Sequence, residues 1–184
     1  MQIKSFTFSA EGRMNVIPCE VDVLSASVTN PEENKKSTSV KAIWDTGATA
    51  SVITSKVAKN LGLVPVGMTE VHTAGGVRTC NVYIVDLMLP NEVFIPNVQV
   101  TEADMTTNDV LIGMDIITLG DFAITNLAGK TRFTFSIPST RVIDFVQEGK
   151  EMDRRSVTKQ HGGKKDKTQR KTEKKNRKAG RKKR

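Results

Sequence analysis

Lys41-Ala42-Ile43-Trp44-Asp45-Thr46-Gly47-Ala48-Thr49-Ala50-Ser51-Val52-Ile53 is the stretch on which the fold turns. An apolar run, Ala42 to Trp44, has the character of a buried strand and leads straight into an acid, a hydroxyl residue and a glycine. A lone carboxylate at the end of a buried strand is costly to desolvate unless it is paired or shares a proton. Thr46 can hydrogen-bond locally, and Gly47 lets the backbone turn sharply and pass close to a ligand. Taken alone, the triplet also fits a strand followed by an Asx-type turn. Its neighbours decide between the two.

Working outward, the flanks read as strands. Gln2 to Phe8 alternates polar and apolar residues with the period of a half-buried strand. Glu11-Gly12-Arg13 is a turn, and Asn15 to Val28 reads as one long strand or two shorter ones, with Pro18 marking an edge or a bend. The polar segment Asn30 to Ser37 then delivers the chain to a strand over Ser39 to Trp44. Beyond the triplet, Val52, Ile53, Val57, Ala58 and Leu61 fall at helical spacing, which predicts a helix over Ser51 to Leu61 stopped by Gly62. Val66 to Val85 predicts a hairpin tipped by Ala74-Gly75-Gly76, with His72 as a solvated residue at its base and Tyr83, the sole tyrosine, as a packing residue. Asn81 to Val100 alternates again around a turn at Pro90-Asn91. Strands over Asp121 to Thr125 and Thr131 to Ile137 form a last hairpin, and Val142 to Val146 is the final apolar cluster.

Between these lies a second motif, Val110-Leu111-Ile112-Gly113-Met114-Asp115-Ile116-Ile117. An apolar strand meeting a glycine and a short helix is ordinary punctuation by itself. Together with Asp45-Thr46-Gly47 the pair resembles retropepsin-like aspartic proteases. In that family the catalytic loop sits beside a hydrophobic-hydrophobic-Gly strand followed by a short helix. The resemblance implies a mainly β acid-protease fold: a closed, β-rich single lobe with a flap hairpin and one or two short helices. It assigns Asp45, Thr46 and Gly47 to catalysis, and Ala48, Ala74, Gly75 and Gly76 to substrate binding. Leu111, Ile112 and Gly113 would support the active-site loop, with Asp115 as a cap on the helix. Viral members carry an Arg after the second-motif glycine, paired with an acid just past the catalytic loop. Met114 and Thr49 stand there instead, which makes the chain more similar to cellular and bacterial members.

The mechanism that the family implies needs two carboxylates sharing one proton, and this sequence holds one Asp-Thr-Gly. The second Asp45 is therefore expected from a second subunit in a two-fold homodimer acting on a polypeptide substrate. No metal or organic cofactor is expected. The alternative is a catalytically silent dimerising or peptide-binding module whose basic tail binds nucleic acid.

Charge divides the 184 residues unequally. Lys150 to Arg184 holds 17 Lys/Arg against four acids, a net of +13, whereas the whole chain carries +8, leaving residues 1–149 at −5. The expected organisation is thus a protease domain over residues 1–146 and a disordered basic tail over 147–184. The tail reads either as a solvated extension or as a nonspecific binder of nucleic acid or another polyanion, without aromatics for base stacking. The two cysteines, Cys19 and Cys80, are too few for a disulfide framework, and no apolar run suits a membrane span. Without a signal-peptide core at its start, the protein is expected to be cytoplasmic.

Overall fold

The computed structural model describes residues 2–26, 36–73 and 76–155, and the chain divides into two units, Met1–Thr140 and Arg141–Arg184. In the first unit the alternating segments become strands: β1 Lys4–Ser9, β2 Ile17–Ser25, β3 Ser37–Trp44, β4 Val52–Ile53, β5 Gly67–Thr73, β6 Gly76–Leu89, β7 Val93–Glu102, β8 Val110–Ile112, β9 Asp121–Thr125 and β10 Arg132–Ile137. Two short helices interrupt them, α1 Ser55–Leu61 and α2 Met114–Ile117. The result is a mainly β fold of the expected kind.

Seven strands form one sheet in the order β2-β3-β8-β4-β7-β6-β5, and β2 also pairs with β6 through Asp22↔Met88 to Ser25↔Val85, which closes the sheet upon itself. Pro18 sits near the start of β2, outside the stretch that pairs with β6, so its missing N–H costs no bond there. A second sheet, β1-β10-β9, turns one face inward. Phe133 and Phe135 of β10 are fully buried and meet Trp44 at ring-centroid distances of 5.1 and 5.0 Å, in tilted geometry. Phe122 of β9 approaches the same indole at 5.6 Å. These spacings lie in the favoured range for aromatic pairs. The residue immediately before Asp45 is thus locked into the aromatic core.

The predicted helix over Ser51 to Leu61 is shorter than expected. Val52 and Ile53 form β4, wedged between β8 and β7, and the helix starts at Ser55 with the Thr54 hydroxyl accepting from the Val57 N–H. β-branched residues suit that strand position better than a first helical turn. Gly62 ends the helix with φ 65°, as its sequence position suggested. The turn between β6 and β7 centres on Asn91 and Glu92, both left-handed, with Leu89 opposite Val93.

In the second unit a helix, α3, covers 145–155, its first turn capped by Asp144 Oδ1, which accepts from the Val146 and Gln147 N–H groups. Val142, Phe145 and Val146 of the final apolar cluster are exposed. Residues 156–184, most of the basic tail, lie outside the described residues, as do 27–35 and the hairpin-tip residues Ala74 and Gly75. Among the described residues no helix is long and apolar enough to cross a membrane.

Candidate active site

β3 carries Trp44 into the core and releases the chain at Asp45, whose backbone N–H still donates to the Ile112 carbonyl at 2.9 Å. That bond prolongs the parallel pairing Ala42↔Val110, Ile43↔Leu111 and Trp44↔Ile112. Leu111 and Ile112 therefore lie beside the strand that delivers the acid. The Asp45 side chain is half-buried. Its Oδ1 accepts from the Gly47 N–H at 2.8 Å, while Oδ2 has no hydrogen-bond partner among the described residues. One oxygen is thus fixed by the loop, and the other is open to a water or to a second carboxylate.

Gly47 does not take up a left-handed conformation. Its reason is proximity: a Cβ there would stand 3.2 Å from Asp45 Oδ1, crowding the carboxylate folded back over it. Thr46 is exposed and makes no side-chain hydrogen bond among the described residues. Ala48 accepts at its carbonyl from the Met114 N–H at 2.8 Å, tying the far side of the loop to the start of α2. Gly113 passes between these segments so closely that a Cβ would lie 2.7 Å from the Ala50 backbone carbon and oxygen. No side chain fits there.

Asp115 does not cap the helix it was expected to open. The N-cap position belongs to Gly113, and Asp115 sits in the first turn, reaching back to the loop. Its Oδ2 accepts from the Ser51 N–H at 3.1 Å and its Oδ1 from the Ser51 hydroxyl at 2.8 Å. The same hydroxyl oxygen accepts from the Gly113 N–H at 3.0 Å. Ser51 is fully buried, so every polar group it carries needs such a partner. Sequence reasoning missed Ser51. The signal was a hydroxyl residue closing the run of small residues after Asp45, with an acid two positions beyond the second glycine. This serine–aspartate bridge links loop and helix in a chain that lacks the Arg-to-acid pair of viral proteases.

Of the hairpin residues assigned to substrate, Gly76 is described: it is exposed, with φ 109°, a conformation suited to glycine. On the same strand as Gly76, Arg78 of β6 pairs with Asp104 at 3.7 Å, joining the hairpin to the segment between β7 and β8. Deeper in the hairpin, Tyr83 does more than pack. It is buried, and its hydroxyl donates to Glu102 Oε2 at 2.6 Å. Behind the active-site loop an open groove of about 350 Å³ lies between β7 and α2, lined by residues that include Ala50, Val98, Asp115 and Ile116. It touches neither Asp45 nor Gly76. Among the described residues no group of three or more His, Cys, Asp or Glu is arranged to hold a metal.

The model of a protein family described as "gag-polyprotein putative aspartyl protease" matches residues 18–118, more than half the chain, including Asp45-Thr46-Gly47 and Leu111-Ile112-Gly113. Comparison with curated protein sequences finds no match. Among solved structures, a retropepsin-like aspartic protease from Rickettsia conorii aligns at 13% identity and TM-score 0.46, over 74% of this chain and 96% of that one. The protease of simian foamy virus (mac) aligns at 17% identity and TM-score 0.36, over 53% and 88% of the two chains.

Proposed function

We propose that this chain, which belongs to the gag-polyprotein aspartyl protease family, is an aspartic endopeptidase assembled as a homodimer, with one Asp45 from each subunit. The observation that carries the reading is the half-tethered carboxylate: Oδ1 is held by the Gly47 N–H and Oδ2 has no partner among the described residues. Two such carboxylates brought together about a two-fold axis repel one another until they share a proton. The ionised member then takes a proton from water as that water attacks the scissile carbonyl. The protonated member donates to the carbonyl oxygen as the tetrahedral adduct forms. Collapse of the adduct breaks the C–N bond, with the proton returned to the leaving amine.

The remaining assignments follow from the same picture. Thr46, exposed at the loop, would brace its counterpart across the axis. Gly47 and Ala48 would offer backbone groups to an extended peptide, and the hairpin tip, Ala74 to Gly76, would cover it as an added strand. Serine–aspartate bridging within each subunit would hold each loop ready before the two meet.

Cleavage of a peptide library between pH 3 and 8 tests this. Asp45→Asn should lower turnover by at least about a thousand-fold while leaving the circular dichroism and sedimentation of the protein unchanged. Activity per subunit should fall on dilution through the dimer dissociation constant. Undiminished turnover in Asp45→Asn, or full activity from a sedimenting monomer, would overturn the proposal.

A further inference from the structure

The hairpin β5–β6 leaves the sheet at one place. β6 pairs with β5 from Gly76 to Val82, and with β7 only from Val82 onward, Val82 lying opposite Thr101. Asn81 is thus the first residue of β6 beyond the β7 ladder, and the last residue of β7, Glu102, stands across from it. Three polar side chains converge there. Glu102 Oε2 accepts from the Tyr83 hydroxyl at 2.6 Å and from Asn81 Nδ2 at 3.0 Å, and the same amide lies 3.4 Å from the Tyr83 oxygen. Asn81 and Tyr83 are two residues apart on β6, so they share a face, and Tyr83 is only 5% exposed.

We infer that Glu102 is the positioning residue of the hairpin, setting through Asn81 and Tyr83 the angle at which β5–β6 departs from the sheet and so the placement of Gly76 at its outer end. This rests on the reading of the hairpin as a flap over substrate. A two-stranded ribbon has little stability of its own, so its direction is decided where it is rooted. Both clamp bonds end on one carboxylate oxygen, and charge-assisted bonds are the strong ones. Electrostatics agrees with the geometry. The Tyr83 hydroxyl first, then Asn81, hold the Glu102 carboxyl below its ordinary range against the opposing effect of burial, with the nearby Lys59 of α1 adding least. Burial first, then Glu102, pushes the Tyr83 phenol up. A carboxylate held low stays charged into mildly acid solution, where a proton-sharing pair of aspartates works.

The test compares Glu102→Leu, Glu102→Gln and Tyr83→Phe in the full-length chain by amide hydrogen exchange and by kcat and KM on a cleaved library peptide. Glu102→Leu should speed exchange across residues 67–81 by about ten-fold while leaving Val110–Ile112 unchanged. KM should rise about ten-fold with a smaller change in kcat. Glu102→Gln should restore most of both, because its Oε1 can accept from the same two donors. Tyr83→Phe, close in shape, should give a smaller change of the same kind and serves if Glu102→Leu does not fold. Exchange that accelerates equally in the hairpin and in β7 and β8 would reduce Glu102 to a general structural role and overturn the inference. So would unchanged exchange in the hairpin. The exchange result stands whether or not any peptide is cleaved, so failure of the clamp and failure of the protease reading are told apart.

Discussion

The active-site loop and the glycine-tipped hairpin come from the same sheet and are held in opposite ways. Between Asp45 and Ser51 the loop is tied to β8 and α2 by the bonds from Asp45 N–H to Ile112, Met114 N–H to Ala48 and Gly113 N–H to Ser51, and by both bonds to Asp115. Its anchor, Ser51, is fully buried. Outboard of Asn81, among the described residues, the hairpin has the ladder between its own two strands and an exposed ion pair to Asp104, and Met68 is 68% exposed. An exposed pair of that kind contributes little. On the proposed function, the contrast separates two mechanical roles. Chemistry needs a carboxylate that does not move, and substrate entry needs a cover that does.

The sharpest way to break this contrast is to loosen the loop. Asp115→Ala strands the Ser51 N–H and hydroxyl in a buried site, and should cost about 2–3 kcal/mol in chemical denaturation together with most of the turnover. Asp115→Asn, which can still accept one of the two bonds, should fall between. A variant as stable and as active as the parent would show that the loop is held by its backbone bonds alone.

A smaller effect is expected on the hairpin side. Gly76→Ala forces a Cβ onto a residue at φ 109°, with no neighbouring atom within 4 Å of it. The strain is conformational and should amount to about 1 kcal/mol. Because the ribbon can rearrange, the change should appear chiefly in KM, with the denaturation midpoint nearly constant. A large loss of global stability would mean that the hairpin is as firmly built as the loop.

At alkaline pH the strand that precedes the loop can be probed at Cys19 of β2, which stands opposite Ala42 of β3. Burial pushes its thiol up to about 12 from 9.0. A group whose folded value is raised contributes stability that is intact below its unfolded value and lost as pH climbs toward the folded one. The parent should therefore lose stability between about pH 9 and about 12 relative to Cys19→Ala. Denaturation midpoints across that window decide it, and parallel curves would remove the thiol from the account.

Most of the framework was legible in the sequence because it rests on local pattern. Alternation marked β1, β6 and β7, Gly62 marked a helix end, and the resemblance carried by the two glycine motifs implied strands lying side by side. What escaped rests on partners far apart in the chain. Ser51 and Asp115 are 64 residues apart, and Tyr83 and Glu102 are 19, so only the sheet topology brings their polar atoms together. Asp115 illustrates the limit. Its place after Gly113 suggested a helix cap, whereas the buried hydroxyl across the loop offered it two donors. Val52 and Ile53 illustrate the converse, since helical spacing carried over them although β8 and β7 claimed them as a strand.

The pairing of Lys4 with Ile137 has a consequence for how the molecule comes into being. A chain emerging in order from its N-terminus presents β1 long before β10 exists, and presents Asp45 long before Ile112 and Asp115 can receive the loop. Contacts of such sequence separation must pay a large closure entropy before they return any binding, which slows folding. Each copy must therefore be translated almost to residue 137 before its first strand has a sheet partner. By that order of synthesis, a nascent chain carries the acid without the machinery that aims it.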